Sequence, residues 1–271
     1  MTLFDERTVV LPAPAHRAPA GPPPWGRIVL LAALLVALMV TAFVTAEAVA
    51  RADVQREFAQ QQRSAMSFPD SQRIDVDIAG PVLLQKLLGR YERITVVARS
   101  IPLGEGSGDM TTTLEKLRPS NGRWKPDRAW GAISLSSAQA TALLIPVEVR
   151  GAMRVGFRET ELTWDAVFMS AEGPLAVTLG MAPSLAEGRL NATISSATVG
   201  DVTFSAQELA DRIGPVAMSS IPLASVCVEG VLPHTIELRN AEVVGQRIDV
   251  NYDIDVATFD TPAGRETGSC P

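Results

Sequence analysis

An α+β fold, with an N-terminal transmembrane helix ahead of a mostly antiparallel sheet and a few short helices, follows from three observations. Residues 28–46 read IVLLAALLVALMVTAFVTA, an apolar run without a charge. Beyond it, segment after segment alternates apolar and polar residues with period two, the mark of half-buried strands. Among these strands only short stretches carry helical spacing, each with a recognisable start or stop.

The apolar run comes first. As a helix it spans roughly 28 Å at ~1.5 Å per residue, close to the ~30 Å hydrocarbon core of a bilayer. Trp25 and Arg27 stand before it, an aromatic ring and a cation suited to the interface. Arg7, Arg17 and Arg27 precede the run, so the positive-inside rule places the N-terminus in the cytoplasm and the main domain outside. Ala48-Val49-Ala50 has the form of a signal-peptide cleavage site, so the run is either an anchor or a signal. Its length and the long tail before it favour an uncleaved anchor. The expected organisation is a disordered cytoplasmic Pro/Ala-rich tail over 1–24, the anchor or signal over 25–47, a helical stalk over 48–70, and an extracytoplasmic domain over 71–271.

Composition narrows the function. Hydrophobic residues make up 46% of the chain, enough for a real core, and the formal net charge of -6 comes with no basic block, which excludes nucleic acid as the expected partner. Arginine far outnumbers lysine and alanine is abundant, as in high-GC bacterial genomes. The two cysteines, Cys227 and Cys270, both fall on the outer side of the run, where an even pair reads as one disulfide.

The elements follow in order. Residues 47–66 are good helix formers with a thin apolar side at Val54, Phe58 and Ala65. Ile74, Val76 and Ile78 alternate with Asp75 and Asp77, a strand. Pro81 opens PVLLQKLLG, a two-turn helix stopped by Gly89. Residues 90–102 return as a strand with Ile94, Val96 and Ala98 on one face. Residues 104–130 read as the least regular part, with a flexible GEGSGD loop and an Asn121-Gly122 turn. Residues 134–145 have helical spacing and a cap at Ser136 or Ser137. Short strands are then expected around Val147/Val149, Val155/Phe157, Leu162/Trp164, Leu175/Val177/Leu179 and Leu190/Ala192/Ile194. Ser205 with Glu208 forms a capping box for a helix over 205–213. Ile236/Leu238 and the alternating run Ile248 to Val256 close the domain.

Catalytic chemistry finds little support, and no enzyme, cofactor or metal site is expected. His16 lies in the tail, and His234 is the single histidine beyond the apolar run, so a histidine-rich metal site is excluded. No serine stands in a strand–turn–helix nucleophile motif, and GEGSGD lacks the strand, helix and lysine of a phosphate cradle. Asp75/Asp77 and Asp253/Asp255 are i, i+2 carboxylate pairs on outward strand faces. They could hold a hard cation or serve as acid and base, but solvated strand faces carry such pairs routinely. What stands out is apolar strand surface in excess of the helices available to cover it. Either two sheets face each other, or a sheet curls and leaves an apolar groove suited to acyl chains, each buried methylene contributing about 0.8 kcal/mol.

The stretch VDIAGPVLLQKLLGRYERITVVA, starting at Val76, resembles the opening of the LmeA family of actinobacterial phospholipid-binding proteins. The matching residues are Ile78, Gly80, Pro81, Leu84, Gln85, Leu87, Leu88 and Gly89, with Val82 where the family usually has phenylalanine. Leu232-Pro233, Ile236-Glu237-Leu238 and the hairpin over 243–250 are similar to its closing strands, whereas 104–130 does not align with the family by its motifs. The resemblance implies a cell-envelope, periplasm-facing protein that binds phospholipid, with a curved sheet of the tubular-lipid-binding type, and carries no catalytic residue over.

The expected ligand site is the helix after Pro81, with Val82, Leu83, Leu84, Leu87 and Leu88 for acyl chains and Lys86 and Arg90 for a phosphate. Leu84 and Leu88 are placed at the mouth of the groove; the alternative is that the leucines are all core. Phospholipid and the bilayer are thus the expected partners. The rival readings are an adaptor that docks another envelope protein on an exposed sheet edge, and a hydrolase using the acidic pairs.

Overall fold

The computed structural model describes residues 25–66, 68–103, 106–120, 122–145, 147, 154–170, 173–213, 225–258 and 261–270. The chain forms two units, Met1–Ala46 and Glu47–Pro271. The tail over 1–24 lies outside the described residues. In the first unit, residues 25–46 are helical with their apolar side chains exposed all round. An apolar surface on every side suits lipid rather than water or a packed core. Among the described residues this is one helix long and apolar enough to cross a membrane.

That helix, α1 (Trp25–Met66), continues into the second unit. The segment read as a stalk is helical there, and it is packed: Ala50, Val54, Phe58 and Ala59 are buried in the core. Phe58 meets Tyr91 edge-on at 5.9 Å, and Tyr91 meets Trp124 at 4.6 Å. Trp124 Nε1 also donates to Glu57. These contacts, of the edge-to-face kind that aromatic quadrupoles favour, lock α1 onto the sheet.

The second unit is α+β, with antiparallel pairing throughout the described strands and no closed barrel. The first sheet is seven-stranded, in the order β1 (Ile74–Ile78), β2 (Tyr91–Leu103), β3 (Gly106–Ser120), β5 (Arg128–Ser136), β13 (Arg247–Ile254) and β12 (Ile236–Val243), with β4 (Arg123–Lys125) paired to β3. The second is six-stranded, in the order β10 (Val202–Ser205), β9 (Arg189–Val199), β8 (Gly173–Ala186), β7 (Glu161–Ser170) and β6 (Arg154–Arg158), with β11 (Val226–Cys227) paired to β9. Of the two arrangements left open by the apolar excess, the chain thus builds two sheets, whose inner faces feed one continuous core. α3 (Ser137–Leu144) links them, starting from a capping box made by Ser136 and Gln139. α4 (Ala206–Ile213) follows β10, and Ser205 and Glu208 bond reciprocally before it as the sequence pattern requires.

The expectation of irregular structure over 104–130 is corrected. The segment contains the fifteen-residue strand β3 and the hairpin into β5. Its inner face reads Gly108, Met110, Thr112, Leu114, so half of the positions that should look apolar are small or polar. Thr112 is buried because Tyr252 from β13 shares a 2.6 Å hydrogen bond with its hydroxyl, and the Tyr252 hydroxyl donates to the Thr111 carbonyl at 3.1 Å. Gly131 makes room for that ring, since a Cβ there would lie 2.5 Å from the Tyr252 oxygen. Lys116 takes positive φ and shifts the phase so that Leu117 also points inward. Two other expectations shift. Residues 134–136 belong to β5 rather than to a helix, and Val147 is in a turn while Val149 lies outside the described residues.

Candidate functional site

An apolar groove lies where the end of α1 meets the sheet. Its lining is Met66, Phe68, Pro69, Ile101, Pro102, Leu103, Met110, Val231, Leu232 and Pro233, and its volume is about 400 Å³. That falls within the ~300–1,000 Å³ of small-molecule sites. Each of these side chains is apolar.

Its floor is a product of irregular strand geometry. β2 pairs with β3 in register up to Ala98↔Met110, then slips, resuming at Ile101↔Gly108. The bulge sits at Arg99 and Ser100, where Ser100 has φ 54° and its amide donates to Asp109 Oδ1 at 2.8 Å. A bulge re-aims the side chains that follow it. Ile101 and Leu103 therefore fall on the buried side, next to Met110.

One rim is the turn after α1. The Phe68 amide donates to the Arg63 carbonyl at 3.0 Å and the Gln72 amide to the Pro69 carbonyl at 2.9 Å, while the buried Gln72 side chain donates to the Arg99 carbonyl. The other rim is η1 (Glu229–Val231) and the two residues after it. The C-terminal segment backs this rim: the Gly268 amide donates to the Leu232 carbonyl at 2.9 Å and the His234 amide to the Glu266 carbonyl at 2.8 Å. The expected disulfide, Cys227–Cys270, is formed just behind it, with Cα atoms 5.9 Å apart. The bridge thus holds both strands of backbone that form this wall.

The sequence-expected site residues lie elsewhere. α2 (Val82–Leu87) buries Val82 and Gln85, tucks Leu83 partly against the core, and exposes Leu84, Leu87 and Leu88 together with Lys86 and Arg90. None of these lines the groove, and Arg90 stands 3.6 Å from Glu92. Gln85 is the pin: its Nε2 donates to the Ala79 carbonyl at 2.6 Å and its Oε1 accepts from the Glu92 amide at 2.9 Å. The N-terminus of α2 is capped from outside. Glu47 accepts from the Val82 amide at 2.7 Å and the Leu83 amide at 2.8 Å, and Arg51 stands 3.1 Å from the same carboxylate. The Leu83 amide first, then the Val82 amide and Arg51, hold the Glu47 carboxyl below its ordinary value despite partial burial.

Along the open edge of β1 runs a polar trough of about 580 Å³ that includes Gln55, Arg56, Arg63 and Asp75. Arg51 donates to the Ile78 and Gly80 carbonyls and Gln55 to the Val76 carbonyl, each at 2.7 Å. Side chains of α1 thereby occupy an edge that would otherwise invite another strand. Three of the four paired carboxylates are engaged at the surface, and the fourth, Asp77, is exposed to solvent. Asp75 pairs with Arg99 at 3.2 Å, Asp253 pairs with Arg239 at 2.9 Å, and Asp255 caps its own turn through Thr258 and the Ala257 amide. Among the described residues no group of three or more His, Cys, Asp or Glu side chains could hold a metal ion.

A family model described as LmeA-like phospholipid-binding matches residues 42–252. The chain belongs to this family. The match runs from the end of the apolar run through α2 and both sheets into β13, and includes every groove-lining residue. No curated protein matches, and no solved structure does. Membership brings phospholipid forward as the ligand class. Gly80 takes φ 79° and Gln85 ties α2 to the strands on either side, so these residues build the seat of α2. The groove residues went unrecognised in the sequence. The one signal was the three-residue spacing of Ala98 and Ile101 within a strand, which marks a bulge.

Proposed function

We propose that the chain is a single-pass membrane protein whose extracytoplasmic domain binds phospholipid by taking acyl chain into the groove between Phe68, Leu103 and Leu232. It serves envelope lipid or lipoglycan maintenance as a binding protein and not as an enzyme. The observation that carries this reading is the 400 Å³ groove lined by apolar side chains alone, in a phospholipid-binding family. The disulfide suits an oxidising compartment. Retention of the anchor is supported by Glu47 and Ala50. Cleavage after Ala50 would remove the carboxylate that caps α2 and open the helix whose next turns bury Val54 and Phe58.

Native mass spectrometry of the full chain released from detergent tests the reading. Phospholipid-sized adducts are expected on the wild type. Val231→Glu places a charge on the rim at a side chain that is 39% exposed, so it should leave melting nearly unchanged and strip the adduct. Equal adduct on both proteins would locate the lipid outside this groove.

A further inference from the structure

We propose that the exposed leucines of α2 seat the folded unit on the surface of the bilayer that holds its own anchor, the partner being a leaflet containing anionic phospholipid. α2 is amphipathic in an unusual sense. It turns Val82 and Gln85 inward and leaves Leu84, Leu87 and Leu88 at 51%, 79% and 58% exposure. Among the described residues of Glu47–Pro271, the remaining exposed large apolar side chains are all valines, at positions 49, 147, 167, 202, 231 and 244. Three outward leucines, two on a six-residue helix and the third at its C-cap, form contiguous exposed apolar surface, which marks a contact site.

Its place along the chain identifies the occupant. Glu47 follows the apolar run directly in the sequence, and it is Glu47 that grips the α2 amides, with Arg51 one turn later bonded to the Gly80 carbonyl. α2 is thus fastened to the first turn of the unit after the bilayer span. Residues in that turn stand at headgroup level, where apolar side chains of an interfacial helix reach roughly 5–10 Å into the acyl boundary. The exposed Lys86 and Arg90 beside the leucines complement a layer of phosphates. The groove is a separate feature: Met66 lies nineteen residues beyond Glu47 on α1, roughly 28 Å at ~1.5 Å per residue.

The proposal rests on the reading of residues 25–46 as a retained span, and the test separates the two. Both native cysteines are in the disulfide, so Leu87→Cys in the full chain offers one thiol for an environment-sensitive fluorophore. Val244→Cys is the control. It follows β12 at the end of the sheet marked by the Ile248↔Leu135 pair, whereas Ile254↔Ala129 and Ile78↔Ile94 mark the end nearer α2. Each protein is reconstituted in phosphatidylcholine vesicles with phosphatidylglycerol, with and without a lipid carrying a quencher in its acyl chain. Quenching at position 87 is expected to exceed that at 244 several-fold. Leu84→Ser with Leu88→Ser should bring it down to the control level without moving the melting temperature. Equal quenching at the two positions would overturn the proposal. So would an emission change at 87 that follows protein density rather than lipid, since a second copy would then cover the leucines. If alkaline carbonate extracts the chain from membranes, the span itself is wrong and the proposal falls with it. Retention with an unquenched label overturns the proposal alone.

Discussion

Replacing Cys227 and Cys270 by serine removes a cross-link that spans 43 residues. For a loop of that length the chain-entropy relation gives about 4 kcal/mol, since the reduced chain regains the freedom that the bridge denies its unfolded state. The bridge closes over β12 and β13, the strands that complete the first sheet, and ends on the C-terminal segment bonded to Leu232 and His234. Much of the second unit therefore depends on the loop it closes. Urea unfolding of the full chain in detergent, followed by the fluorescence of Trp124, Trp130 and Trp164, reads the effect. With a slope near ~3 kcal/mol/M, the upper end of the usual range for urea, the midpoint should fall by roughly 1.3 M. Reduction of the wild type by dithiothreitol should give the same curve as the double serine variant. A loss of less than about 1 kcal/mol would refute the reasoning, because the unfolded chain would then already hold those ends together without the bond. The same variant should also lose lipid adduct at urea concentrations below its main transition, since the bridge backs the groove wall.

Other expectations follow from single contacts. Glu47→Gln weakens the cap of α2 and should lower stability by about 1–2 kcal/mol at neutral pH. Because the folded pKa is depressed, that stability is fully present above the ordinary value of 4.5 and is lost as pH falls through the folded one, so wild type and variant should converge below that range; a difference that persists in acid would show that the carboxylate charge is not what matters. Tyr252→Phe leaves the buried Thr112 hydroxyl without its 2.6 Å partner and should cost about 1–3 kcal/mol in thermal or urea melts, with an unchanged melt arguing that Thr112 turns to another acceptor. The proposed topology is checked by protease added to intact cells, which should reach the second unit; activity of a cytoplasm-restricted reporter fused after Pro271 would reject it.

Local rules were enough for much of this protein. An apolar run without charge satisfies its backbone as a helix, and its apolar side chains suit lipid, so residues 28–46 stand out with no knowledge of the rest. Period-two alternation in Ile74–Ile78 and Arg247–Ile254, and the capping residues Ser136, Ser205 and Glu208, likewise depend on neighbours a few positions away. The disulfide was readable because compartment and number alone left two cysteines one partner each. β3 was not readable. Thr112 and Gly131 are acceptable in a core only because Tyr252, more than a hundred residues later, fills the space and bonds the hydroxyl. The groove escaped for the same reason. Its floor depends on a bulge at Ser100, and its rims come from the end of α1 and from η1, segments about 160 residues apart in sequence whose meeting no local pattern encodes. The leucines of α2 show the converse: their apolar character was plain in the sequence, but whether they faced core or solvent depended on Glu47 and Gln85 fixing the rotation of a short helix. Sequence alone determined the class of fold, the long apolar helix and the cross-link, because each rests on short-range chemistry. The tertiary structure decided which apolar residues face a cavity and which face outward, because that choice belongs to contacts between distant segments.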